Sequence, residues 1–156
     1  MQISTCIDVL ISQLESNTAV ISPGSRNAPI IYSLNKHFSQ TFSVIDERSA
    51  AFIALGIAKS KQQPVVLNCT SGTAVLNYYP AIAEAFYARV PLIVITADRP
   101  PEKIDTWDGQ AIRQNEVFQN HTRLSISTPS EYKDESEFGA VADKVNKQIK
   151  EGIPGP

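Results

Sequence analysis

Four times along the chain a short run of apolar, largely β-branched residues passes into turn chemistry and then into a helical pattern. The runs are Thr18-Ala19-Val20-Ile21, Thr41 to Ile45, Val65-Val66-Leu67-Asn68-Cys69 and Leu92-Ile93-Val94-Ile95-Thr96. Strands that are apolar throughout need cover on both faces, and their alternation with helices points to a parallel sheet. The expected fold is α/β: a three-layer sandwich whose parallel sheet of about five to six strands is covered by helices on both faces. Right-handed crossovers bring the strand-to-helix loops to one rim. Open α/β sheets bind ligands along that rim.

The helices follow from periodicity and punctuation. Ile3, Ile7, Leu10, Ile11 and Leu14 share one face of a first helix that ends near Ser16-Asn17. Turn residues Ser22-Pro23-Gly24-Ser25 precede a helix from about Asn27 to Phe38, with Pro29 tolerated in its first turn. The Ala-rich stretch after Asp46-Glu47-Arg48 is helical until Gln62-Gln63-Pro64. A long helix is expected over about Ala74 to Ala88, and a short helical piece around Ile112 to Phe118. Leu124-Ser125-Ile126-Ser127 alternates like an edge strand, and the last helix is expected from Tyr132 to Ile149.

At 156 residues the chain suits one domain, 1–156, with no linker or repeat. Its last helix is followed by a turn at Gly152-Ile153-Pro154-Gly155-Pro156 where an αβ unit would normally lead into another strand, so a fragment of a longer chain is expected. A net charge of −2 without a basic stripe argues against nucleic acid, and there is no apolar run long enough for membrane insertion and no signal peptide. Cys6 and Cys69 lie outside any CxxC spacing and read as reduced thiols of a cytoplasmic protein. A nucleophile elbow, an HExxH pair and a clustered zinc set are all missing from the sequence, so hydrolase and metalloenzyme readings lack their central residues. His37 and His121 have no partners at ligand or triad spacing.

The rim loops carry the candidate chemistry, and each also has a bland reading. Ser22-Pro23-Gly24-Ser25-Arg26-Asn27 sets small residues and a guanidinium at a helix start, suited to a carboxylate or phosphate; it is equally a turn with a Ser25 cap and an exposed Arg26. Thr70-Ser71-Gly72-Thr73 has the same form without the charge, and Gly72 admits close approach to the backbone. Asp98-Arg99 follows the most apolar strand, expected to be central; the alternative is a surface ion pair. Gly109 to Gln114 is a polar cluster on the only long irregular segment, the usual place for a lid or binding loop, with Trp107 beside it as an anchor. Asp46 can cap the helix after the second strand, and Glu47 in its first turn would favour the helix dipole.

Taken in order, Ser22-Pro23-Gly24-Ser25-Arg26, Asp46-Glu47-Arg48-Ser49-Ala50, Thr70-Ser71-Gly72-Thr73-Ala74, Thr96-Ala97-Asp98-Arg99-Pro100-Pro101-Glu102 and Gln110-Ala111-Ile112-Arg113-Gln114 resemble the N-terminal, pyrimidine-binding domain of thiamine-diphosphate enzymes. More narrowly they resemble the 2-succinyl-5-enolpyruvyl-6-hydroxy-3-cyclohexene-1-carboxylate synthase family of menaquinone biosynthesis. The resemblance covers nearly the whole chain. It implies a carboligase that decarboxylates 2-oxoglutarate and adds the resulting carbanion to isochorismate. Glu47 would hydrogen-bond the cofactor's aminopyrimidine ring and so help deprotonate the thiazolium carbon. A carboxyl partly withdrawn from water is suited to sharing a proton in this way.

By the same resemblance Ser71, Gly72 and Thr73 contact the cofactor, while Ser25, Arg26, Arg99 and Gln110 face isochorismate. The family often has Asn where this chain has Gly109. It holds magnesium and diphosphate on a separate C-terminal domain, and its site lies between subunits of a homo-oligomer. No metal ligand is expected in this chain, and the chain alone is expected to be inactive. Two alternatives stay open: part of another thiamine-diphosphate decarboxylase or carboligase, or a non-catalytic binding module of the same fold.

Overall fold

The computed structural model describes residues 3–128 and 134–156. Its elements in chain order are α1 (Ile3–Gln13), β1 (Thr18–Ile21), α2 (Ala28–His37), β2 (Gln40–Ser43), α3 (Glu47–Lys61), β3 (Val65–Cys69), α4 (Thr73–Leu76), α5 (Tyr79–Ala88), β4 (Leu92–Thr96) and α6 (Ser136–Glu151), with single 3-10 turns at Pro101–Lys103 and Gln119–His121. The strands form one wholly parallel sheet in the order β2-β1-β3-β4.

Side-chain alternation divides the core into two halves. Val20, Val65, Leu67, Cys69 and Leu92 face α3, α4 and α5. Ala19, Ile21, Val66 and Ile93 face α1, α2 and α6 on the other side. Buried strands covered twice are the three layers that the apolar runs require. Ala50, Ala51, Ala54 and Ala58 line one stripe of α3 with no exposed surface, so that helix packs closely on the sheet.

Several expectations are corrected. The sheet of the described residues has four strands, fewer than five to six. Leu124-Ser125-Ile126-Ser127 forms no ladder, and all four residues are exposed. The most apolar strand, β4, is therefore the edge of this sheet, with β1 and β3 central. The expected helix over Ala74 to Ala88 is two, because Pro80 cannot donate to Leu76 and its ring would clash with that carbonyl. Residues 112–118 form loop and turns, and the helical piece there is the single turn Gln119–His121. The start expected for the last helix, Tyr132, lies outside the described residues; within them that helix begins at Ser136.

One carboxylate ties α1 to α2. Asp8 accepts from Lys36 Nζ at 2.8 Å and lies 2.9 Å from both Ser33 Oγ and His37 Nε2. The hydrogen bond from Lys36, opposed by burial and helped by those from His37 and Ser33, lowers its pKa from 3.8 to about 2. A depressed carboxyl stabilises the fold fully above the unfolded value and ceases to do so as pH falls through the folded one. Acid unfolding followed by circular dichroism should therefore show a stability loss between about pH 4 and pH 2 that Asp8→Asn removes.

Candidate functional site

The strand order reverses between β1 and β3, so the crevice at their carboxyl ends is the topological switch point. The loops after these strands are bolted together there. Buried Asn27 donates from Nδ2 to Ser22 O at 3.0 Å and to Asn68 Oδ1 at 2.8 Å. Asn68 in turn donates to Ile95 O at 2.8 Å, so one amide chain spans β1, β3 and β4. The loops touch: a Cβ on Gly24 would lie 2.7 Å from Thr70 Cβ. Asn27, not Ser25, occupies the cap position of α2, and its side chain is spent on this inward network instead of a cap bond. Ser25 is left exposed and Arg26 half-buried at the lip. Sequence reasoning misses this amide pair, although a lone Asn inside the apolar run Val65–Cys69 is a signal for it.

Glu47 is the first residue of α3 and is half-buried. Asp46 supplies the cap, accepting from Ser49 N at 2.7 Å, and its hydrogen bonds with the Ser49 hydroxyl and amide hold its carboxyl below the usual range. The capping work is thus done by Asp46, and Glu47 makes no cap bond in this role. Two buried acids, Cys69 and Tyr78, feel the charge of Glu47. Burial, reinforced by the negative charge of Glu47, pushes the Cys69 thiol up to about 12. Tyr78 is shifted upward by burial first, with Cys69 and Glu47 adding to it. Both side chains are therefore neutral at pH 7, and Cys69 is an inert thiol.

The segment after β4 crosses the rim and covers Gly72. Gly72 has φ +86°, and a Cβ there would meet Gln110 O at 2.6 Å. Gln114, buried and absent from the expected site residues, is the anchor. Its Oε1 accepts the Gly72 N–H at 3.0 Å, and its Nε2 donates to Thr96 Oγ1 at 3.1 Å and Ala97 O at 2.7 Å. Next to Gly72, the hydroxyls of Thr70 and Ser71 are buried without a hydrogen-bond partner; Thr73 is exposed. Asp105, Trp107, Gln110 and Glu116 all take left-handed φ between 55° and 62°. Trp107 is fully exposed and anchors nothing, contrary to expectation.

Arg99 turns toward this segment and not toward Asp98. Its guanidinium donates to Gly109 O and lies 3.3 Å from Asp108 Oδ1, while Asp98 accepts the Arg99 amide. Arg26 donates to Gln110 Oε1 at 3.3 Å. Two guanidinium groups from loops on either side of β3 therefore meet neighbouring residues of one loop. A side chain at Gly109 would meet nothing within 4 Å, so the missing Asn leaves open space. Both histidines are structural in their contacts, His37 with Asp8 and His121 with Tyr79 Oη at 2.8 Å.

Residues 3–123 match the family described as thiamine pyrophosphate enzyme, N-terminal TPP binding domain. The chain belongs to that family. It is also similar to the 2-succinyl-5-enolpyruvyl-6-hydroxy-3-cyclohexene-1-carboxylate synthase of Christiangramia forsetii, 58% identical over 113 residues that make up 72% of this chain and 20% of the relative. The synthase of the same name from Flavobacterium johnsoniae is 51% identical over 136 residues, 86% of this chain and 24% of the relative. That of Cytophaga hutchinsonii is 49% identical over 131 residues, 83% and 23% respectively. The chain spans about a fifth to a quarter of the length of the curated relatives it matches.

The residues present suit one end of a thiamine-diphosphate cofactor. A half-buried carboxyl not engaged as a cap after β2, with orphaned hydroxyls of Thr70 and Ser71 on the loop after β3, fits a flat, nitrogen-rich ring. The Gly72 amide is already taken by Gln114. Among the described residues no group of three His, Cys, Asp or Glu side chains could hold a metal ion. No helix of the described residues is long and apolar enough to cross a membrane.

Proposed function

We propose that this chain is the N-terminal, pyrimidine-binding part of a longer cytoplasmic carboligase, 2-succinyl-5-enolpyruvyl-6-hydroxy-3-cyclohexene-1-carboxylate synthase. That enzyme would decarboxylate 2-oxoglutarate and join the remainder to isochorismate in menaquinone biosynthesis. Bound thiamine diphosphate supplies the electron sink for the decarboxylation. Magnesium and the diphosphate belong to residues outside this chain, in an oligomer whose site lies between subunits. Within the chain, Glu47 holds and shares a proton with the ring, and Ser71, Gly72 and Thr73 form the adjoining wall. Ser25, Arg26, Arg99 and Gln110 orient the isochorismate side.

The observation that carries the substrate class is the convergence of Arg26 and Arg99 on Gly109 and Gln110. Two cations at one lip suit a substrate with two carboxylates. The test is Arg99→Ala in the full-length enzyme. A charge-assisted hydrogen bond lost from a carboxylate weakens binding by about 10- to 100-fold. The KM for isochorismate should rise by that order, while carbon dioxide release from 2-oxoglutarate alone stays within about twofold. Equal losses in both would remove Arg99 from the isochorismate side. A wild-type preference for pyruvate over 2-oxoglutarate would remove the synthase reading itself.

A further inference from the structure

The two arginines assigned to the substrate are not free. Arg99 is gripped by Asp108 and Gly109, and Arg26 by Gln110, all on one loop. The Arg99 side chain is only 16% exposed. Its partner Asp108 is a carboxylate, the same group that a dicarboxylic substrate would present. We propose that Asp108 is an internal stand-in for a substrate carboxylate, a latch that occupies Arg99 until an anionic ligand displaces it. This inference rests on the assignment of Arg99 to a carboxylate-bearing substrate.

The surroundings suit a latch with two positions. The hinge end is fixed, because Gln114 is held by Gly72, Thr96 and Ala97 through three hydrogen bonds. Between that anchor and the Pro101–Lys103 turn, three non-glycine residues, Asp105, Trp107 and Gln110, hold left-handed backbone, a strained conformation for L side chains. That strain is offset by the contacts the loop makes when closed and is released when it opens. Asp108 also has somewhere to go: Lys103 Nζ lies 3.7 Å from its other oxygen and is half-exposed. Displacing Asp108 from Arg99 thus leaves it the ion pair it already has with Lys103 and strands no buried charge.

The latch lowers apparent affinity, because ligand binding must also break the internal pair. A partly exposed ion pair is worth up to about fivefold in a binding constant. In the full-length enzyme isochorismate should therefore bind the Asp108→Asn variant roughly fivefold more tightly than wild type. Titration calorimetry reads the binding constant. Asp108→Glu retains a carboxylate and should restore most of the weaker wild-type affinity. In an Arg99→Ala background Asp108→Asn should change nothing, because there is no guanidinium left to compete for.

Asp105 separates the latch from simple charge repulsion. It lies on the same loop but pairs with Arg113 at 3.0 Å, not with Arg99. Equal tightening by Asp105→Asn would overturn the latch in favour of net charge. Equal binding by wild type and Asp108→Asn, with Arg99→Ala still impaired, would overturn the latch and leave the substrate assignment standing. Failure of wild type and Asp108→Asn alike to bind isochorismate would overturn both.

Discussion

Glu47→Gln in the full-length enzyme should slow proton exchange at the cofactor's thiazolium carbon by about 10²- to 10⁴-fold, the range for loss of a positioned general acid–base group. Turnover should fall with it. The substitution keeps the size and hydrogen-bonding capacity of the side chain but removes a group able to share a proton. Stability should barely move. A carboxylate in the first turn of α3 is worth only about 0.3–1 kcal/mol to the helix dipole, and Asp46 retains the Ser49 cap bond. Asp46→Ala is the converse case: about 1 kcal/mol of stability lost with the cap, and exchange retained. Hydrogen–deuterium exchange at that carbon, read by NMR beside thermal unfolding, separates the two effects. If Glu47 only serves the dipole, Glu47→Gln will cost a fraction of a kcal/mol and leave exchange untouched.

The difference between these neighbouring carboxylates is legible in the residues themselves. An acidic pair at a strand-to-helix junction needs one cap, and the geometry assigns it to Asp46. The bounds of β1, β3 and β4 are legible for a related reason. Each is an isolated apolar run, and burying it allows little choice of register. β2 slips, observed over Gln40–Ser43 and expected over Thr41 to Ile45, because none of its residues is buried and Ile45 itself is largely in solvent. Pro80 is the residue that marks the break between α4 and α5, a mark that the apolar pattern over Ala74 to Ala88 conceals.

What cannot be read from sequence lies in the loop after β4. The conformation there is set by tertiary contacts: Gln114 on the ends of β3 and β4, and Arg99 on the carbonyl of Gly109. The left-handed positions at Asp105, Trp107, Gln110 and Glu116 carry no glycine to announce them. Gln114 stands in the motif that begins at Gln110, but its role depends on which strands end beside it. That in turn depends on strand order, and β4 is an edge strand, where its apolar composition suggests a centre.

The same loop makes Gly72→Ala a damaging substitution. An alanine at φ +86° and ψ −141° enters a backbone region that is essentially glycine-only, at a cost of about 1–3 kcal/mol. Its methyl would also sit 2.6 Å from Gln110 O, with Gln110 C and Cα both at 3.0 Å, and backbone cannot step aside as a side-chain tip can. Overpacking adds about 1–3 kcal/mol, so the expected loss in urea unfolding is about 2–6 kcal/mol. The strain has two exits. Either the Gly72–Thr73 turn reorganises and α4 loses its start, or the loop lifts off and Gln114 gives up the Gly72 amide. The second sacrifices one neutral hydrogen bond, about 0.5–1.5 kcal/mol, and leaves the buried strand ends intact, so it is favoured. Gly72→Ala should therefore expose the loop between Lys103 and Arg113 to trypsin before global unfolding. Gly56→Ala, in mid-α3 with nothing within 4 Å of the new methyl, should instead stabilise by up to about 1 kcal/mol through helix propensity. If Gly72→Ala destabilises without accelerating loop cleavage, the turn has yielded, and the loop is held more firmly than its contacts with Gln114 and Arg99 imply.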